Sequence, residues 1–168
     1  VSIGLVYQIK GDYDKALDYD SRSMKIFEDI GDKLGIGYSL YAVGLIYTDK
    51  GNYDKGAEHL HRSLAIQNEI VLKDDDVMLY TTTYLYLNYK HLGDEYAEKE
   101  IHSLIKEAEN IEFELNYAIY QLLEDKSYLE TAYNQVQEKA SAMEEELAQK
   151  FLSYLIPKAI GEEWEKVK

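Results

Sequence analysis

Apolar residues recur along this chain at spacings of three and four. Leu40, Val43, Gly44 and Tyr47 fall at i, i+3, i+4 and i+7, and Tyr53, Ala57, Leu60 and Leu64 form a similar stripe just beyond them. Both patterns predict amphipathic helices with one buried face. Gly51-Asn52 separates the two stripes: a glycine suited to the left-handed position that ends a helix, then a residue able to cap the next one. Gly11-Asp12 does the same job earlier in the chain, and the sole proline, Pro157, leaves helices free to run nearly throughout.

The early part of the chain is written twice. Residues 1–33 laid over 41–73 without a gap give 13 identities, among them Gly4/Gly44, Tyr7/Tyr47, Gly11/Gly51, Tyr13/Tyr53, Arg22/Arg62 and Ile26/Ile66. Each copy reads as helix, tight turn, helix, and so short a turn forces the two helices to lie antiparallel and in contact. Close contact needs small side chains at the crossing. Gly4, Ala16 and Ser23 supply them in one copy, Gly44, Gly56 and Ser63 in the other.

The pattern Leu40-x2-Val43-Gly44-x2-Tyr47, Gly51-x-Tyr53, then Gly56 and Ser63, resembles the tetratricopeptide repeat (TPR). The first copy matches at Gly4, Tyr7, Gly11, Tyr13, Ala16 and Ser23. It departs from the family in having Leu40 for the usual tryptophan, Glu28 and Asn68 where the closing proline would stand, and a period of 40 residues. The period matches the longer variants found in scaffold, adaptor and bacterial signalling proteins. The resemblance implies an all-α fold, a TPR-type α-solenoid of antiparallel helix pairs wound as a right-handed superhelix.

Residues 1–140 are expected to form the array, in units 1–33, 34–73, 74–109 and 110–140, with residues 141–168 as capping helices. In the third unit Asp74-Asp75-Asp76 is expected to cap a helix carrying Tyr80, Tyr84, Leu85, Leu87 and Tyr89. Gly93-Asp94 is its turn, Glu95 an insertion, and Ile101, Leu104, Ile105 and Ala108 the buried side of its second helix. Asn110 and Ser127 are expected caps in the fourth unit, ahead of Leu115, Ile119, Leu122 and of Tyr128, Ala132, Val136. Met143, Leu147, Phe151, Leu152 and Leu155 form one further stripe, and Pro157 opens a last short helix containing Ile160 and Trp164. Matching Gly4 to Gly44 places the start of the first helix about seven residues before Val1, by analogy with the start near Gly37. The chain is therefore expected to be a piece of a longer repeat protein, with Ile3 and Val6 left without their cover.

Composition narrows the function classes. The 168 residues carry 32 acidic and 18 basic side chains, a formal charge of −14 that disfavours nucleic acid and anionic membrane surfaces as partners. No apolar run is long enough to cross a bilayer. Without cysteine there is neither a disulfide framework nor a thiolate metal site, and a cytoplasmic location is the default.

Candidate catalytic chemistry is sparse. His59 and His61 stand two apart on a helix and point in different directions, while His91 and His102 stand alone, so packing or surface exposure accounts for them. Asp74–Asp76 lacks the ligand spacing of a calcium loop and reads as a cap, and Glu144-Glu145-Glu146 reads as an acidic helix start. Arg22 and Arg62 read as structural ion-pair residues, with a repeated partner contact as the rival. No nucleophile elbow or phosphate-binding glycine loop is present, so no enzyme and no cofactor is expected.

The 17 tyrosines exceed the usual share. Tyr7, Tyr13, Tyr47 and Tyr53 are repeat packing positions. The family register implies that the first helix of each pair lines a concave groove. It assigns Tyr38, Tyr41, Leu45, Thr48 and Asp49 to that groove in the second unit, and Tyr80, Thr83, Leu87, Lys90 and His91 in the third. Phe113, Asn116, Tyr120 and Glu124 follow in the fourth. Such a surface suits an extended peptide or amphipathic helix, preferably basic. Only Lys90 and Asn116 could clamp a terminal carboxylate, which argues against that specialised mode. The alternatives are that the tyrosines fill gaps between helices, or that the chain stacks or forms a homodimer through its first repeat.

Overall fold

A computed structural model describes residues 2–70 and 75–168, which divide into two compact units at residues 109 and 110. The first unit holds α1 (Ile3–Ile9), α2 (Tyr13–Ile30), α3 (Lys33–Asp49), α4 (Tyr53–Ile70), α5 (Asp75–Leu92) and α6 (Glu98–Glu107). The second holds α7 (Phe113–Leu123), α8 (Lys126–Ser141), α9 (Glu145–Leu152) and α10 (Leu155–Val167). The described residues are all-α, as the 3.6-residue periodicity predicts.

The turns of the first unit follow from local sequence. Gly11, Gly31, Gly51 and Gly93 each take positive φ, between 71° and 79°, a conformation glycine adopts without a Cβ penalty. At each, the glycine N–H donates to the carbonyl three residues back and the next N–H to the carbonyl five residues before itself, closing the helix end. At the second turn these bonds are Gly51 N to Thr48 O and Asn52 N to Tyr47 O, both 2.9 Å. Tyr7 and Tyr89 supply the matching carbonyls at the first and third hairpins. Asp12 and Asn52 then cap α2 and α4 by accepting from the N–H of Lys15 and Lys55.

The helix crossings depend on what glycine leaves out. A Cβ at Gly44 would lie 2.7 Å from Leu60 Cγ and 3.3 Å from the Gly56 carbonyl. Gly4 faces the carboxylate of Asp20 in the same way, and Gly35 faces the ring of Phe27. Gly56 lies under Asn88 and Thr48, at 2.6 and 2.8 Å from where its Cβ would be. Gly56→Ala is therefore expected to lower stability by about 1 kcal/mol, read from urea unfolding, despite alanine's better helix propensity. A stabilised Gly56→Ala protein would refute the packing described for Asn88.

Beyond α4 the expected boundaries shift. The Asp74 cap lies outside the described residues. The segment after Gly93 is longer than in the other hairpins, and α6 begins only at Glu98 with Ala97 as an N-cap lacking a side-chain bond. Ile101 and Leu104 are buried on α6, while Ile105 and Ala108 are half-buried.

In the second unit Asn110 does not cap α7. Its Nδ2 donates to Glu112 Oε1 at 3.2 Å, and Glu112 itself is the N-cap. Nor is Ser127 a cap, because Asp125 takes that place and accepts from the Ser127 N–H. Phe113, Leu129, Ala132, Val136 and Ile160 form the core, with Phe151, Leu152, Ile156 and Trp164 packed against it. Tyr133 stacks on Trp164 at 5.3 Å, and Phe151 meets Phe113 edge-on at 6.0 Å. The expected single stripe from Met143 to Leu155 is interrupted: α9 stops at Leu152, so Leu155 opens α10 and is exposed, as is Leu147. Pro157 sits in the first turn of α10, where its missing N–H costs no helical bond.

Candidate functional site

Within the first unit, α3 presents Tyr38, Tyr41, Leu45, Thr48 and Asp49 at spacings of three and four, which places them along one helix face. Tyr38 is 46% exposed, Tyr41, Leu45 and Thr48 are half-buried, and Asp49 is exposed. Tyr38 also borders a small apolar pocket with Leu34, Ile66, Ile70, Val77 and Met78, where α3, α4 and α5 meet.

Asp49 ties α3 to α1. Gln8 Nε2 donates to its Oδ2 at 2.7 Å, and crowding about the carboxyl raises its pKa while the Gln8 bond opposes that rise. Gln8 is absent from the sequence-based assignment, although it stands forty residues before Thr48 and the same register would have found it. Thr48 is occupied by structure: its hydroxyl donates to Gly44 O at 3.0 Å and accepts from Asn88 Nδ2 at 2.8 Å.

On α5 the assignment needs correction. Tyr80 and Lys90 are half-buried, but Thr83 and Leu87 are buried. From Leu79 to Asn88 only Tyr80 and Tyr84 escape full burial, so this helix is covered nearly all round and has no broad open face. His91 is exposed, and its ring stacks on Tyr53 of α4 at 4.2 Å.

In the second unit Phe113 and Asn116 are likewise interior residues. Phe113 belongs to the core. Asn116 Nδ2 donates to Ile111 O at 2.8 Å and to Gln135 Oε1 at 3.1 Å, so it fastens the chain entering α7. Tyr120 is half-buried and donates to Glu163 Oε1 at 3.1 Å, with its pKa raised by burial and by that carboxylate. Glu124 is exposed and ends α7 at φ 59°.

The remaining candidate groups have local partners. Arg22 lies 3.5 Å from Asp18 and over the Tyr19 ring, in keeping with an ion-pair role, and Arg62 is exposed on α4. His59 packs on Tyr47 with its Nδ1 2.8 Å from Lys55 O, and His102 lies 3.5 Å from Glu98. Among the described residues no cluster of three metal-binding side chains occurs, and no helix is long and apolar enough to cross a membrane.

The duplicated hairpins, their shared turn geometry and the small-residue crossings coincide with a family match: residues 1–69 fit the model of the tetratricopeptide repeat. Residues 1–69 are thus similar to the tetratricopeptide repeat. Tetratricopeptide repeats generally mediate protein–protein interactions and are typically non-catalytic. Searches of curated proteins and of solved structures return no match. The matched residues end at the carboxyl end of α4, so α5 to α10 are known by their helices alone.

Proposed function

We propose that the first unit is a non-catalytic protein-binding module whose first-helix face takes a basic peptide or amphipathic helix. The observation that carries this reading is the exposed Tyr38 and half-buried Tyr41 on the same side of α3 as the exposed, acidic Asp49, with Tyr80 of α5 also only half-buried. Tyrosine supplies a large apolar contact with few rotamers to freeze, and the net charge of −14 favours a cationic ligand. Thr83, Leu87, Phe113 and Asn116 drop out of the proposed contact set because they are buried. A cytoplasmic setting fits the same reading.

The test is capture from lysate by the wild-type chain and by a Tyr41→Ala/Tyr80→Ala variant whose helicity is checked by circular dichroism. Basic proteins retained by the first and lost by the folded variant are the expected result. Equal retention by both proteins would remove the tyrosine face as the binding surface.

A second reading, self-association through α1, has its own observation. Ile3 and Val6 are 58% and 39% exposed, whereas Val43 and Ile46, their counterparts forty residues on, are 3% and 0% exposed. Solution mass at rising concentration tests it: a monomer throughout excludes this reading.

A further inference from the structure

The two copies of the repeat differ at one position of their second helices. In α2 the Phe27 ring presses on the Gly35 backbone, whereas forty residues on α4 carries Gln67, which is 9% exposed. An aromatic side chain serves the repeat at this place, so its packing does not call for an amide. Gln67 Nε2 donates to Ser63 Oγ at 3.1 Å and to Thr81 Oγ1 of α5 at 2.9 Å.

Those two bonds fix which way the amide is turned. Ser63 commits its one hydroxyl proton to Gly37 O at 2.8 Å and Thr81 commits its own to Val77 O at 3.0 Å, so both oxygens can only accept from Gln67. The amide nitrogen has then used both of its protons, and Oε1 is buried without a partner. Gln67 meets Thr81 while Ile70 and Val77 border one pocket, which sets α4 and α5 antiparallel. Nε2 is engaged at the level of Ser63 and Thr81. Oε1, across the amide carbon from it, is left to the level of Ile70 and Val77.

That level holds the small pocket that Gln67 lines with Tyr38, Ile66, Ile70, Val77 and Met78. Among the described residues lining it none is charged, so the cost of burying an unpaired ammonium or guanidinium rules out a lysine or arginine head. A neutral donor on an apolar body matches the lining. The indole N–H of tryptophan matches it best, because it donates and brings no acceptor that would itself need a partner. We propose that this pocket takes a tryptophan side chain of a bound partner, its N–H donating to Gln67 Oε1 while the exposed Tyr38 side chain turns aside to admit the ring. This names an apolar anchor for the ligand of the proposed function, and it rests on that reading only for the partner being a peptide or helix.

Free indole and its isostere benzofuran, which has an oxygen in place of the N–H, separate this donor from plain apolar filling. Titrated into the natural chain and followed by NMR shifts of the Ile66, Ile70, Val77 and Met78 methyls, indole is expected to bind at least about tenfold more tightly than benzofuran. In Gln67→Met, which keeps the length of the side chain and removes the acceptor, the two should bind within about twofold of each other. Benzofuran equalling indole in the natural chain, shifts confined to methyls elsewhere, or an unchanged preference in Gln67→Met would overturn the proposal. Should Gln67→Met lose its helicity, the two titrations of the natural chain decide alone. Both probes are uncharged and neither is a peptide, so a negative result here strikes the tryptophan anchor and leaves the basic-peptide reading to its own Tyr41→Ala/Tyr80→Ala test.

Discussion

Gly44→Leu is expected to destabilise the first unit by about 1–3 kcal/mol or more, visible as a lower urea midpoint. A Cβ at this position would already lie 2.7 Å from Leu60 Cγ, closer than real contacts permit, and the Gly56 carbonyl at 3.3 Å closes the other side. A leucine adds three further carbons to that crowding. Leu60 is fully buried and has no open space to turn into, so the strain must separate α3 from α4. A Gly44→Leu protein as stable as the wild type would contradict the crossing around which both copies of the repeat are built.

Asp20→Leu is expected to act in the opposite direction. Asp20 occupies in α2 the place Leu60 holds in α4, and each faces the small residue of its partner helix, Gly4 or Gly44. The Asp20 side chain is buried and its Oδ2 has no hydrogen-bond partner. Leucine fits beneath Gly4 as Leu60 fits beneath Gly44, and removal of an unsatisfied carboxylate should gain about 1–3 kcal/mol at neutral pH.

The pH dependence carries its own sign. Burial raises the Asp20 pKa above its ordinary 3.8. Its contribution is therefore most favourable below that value and is lost as pH rises through the folded-state pKa. The stability difference between Asp20→Leu and wild type should accordingly grow from about pH 4 to neutrality. Thermal unfolding at several pH values checks both parts, and a variant less stable than wild type at pH 7 would contradict the account of this site.

The hairpins of residues 1–70 could be read directly because their determinants are local. A glycine at the left-handed position, an Asp or Asn directly after it, and small residues at the crossing are sequence-visible. Legibility falls off where tertiary contacts take over. The longer segment after Gly93 hid the start of α6, and Glu112 and Asp125 displaced the expected caps Asn110 and Ser127.

The residues assigned to the proposed face share one side of α3, whereas Thr83 and Leu87 on α5 and Phe113 and Asn116 on α7 are buried, for a definable reason. Carrying a register from one hairpin to the next assumes that each first helix keeps one open face, whereas α5 is buried nearly all round. Asn116 reads as a polar surface residue in sequence. Its two hydrogen bonds to Ile111 and Gln135 make it an interior one. Gln8 shows the converse, a polar residue that the repeat register does indicate and that the structure brings to Asp49.

The central claim is that the tyrosine-bearing face of α3 and α5 binds a basic peptide. Selection from a random peptide display library on the immobilised wild-type chain, followed by titration of the enriched peptides against the folded Tyr41→Ala/Tyr80→Ala variant, tests it most directly. Enriched peptides should be lysine- or arginine-rich with apolar anchors, and should bind the variant at least about tenfold more weakly. Enrichment of no peptide, or of peptides that bind both proteins equally, would contradict the claim.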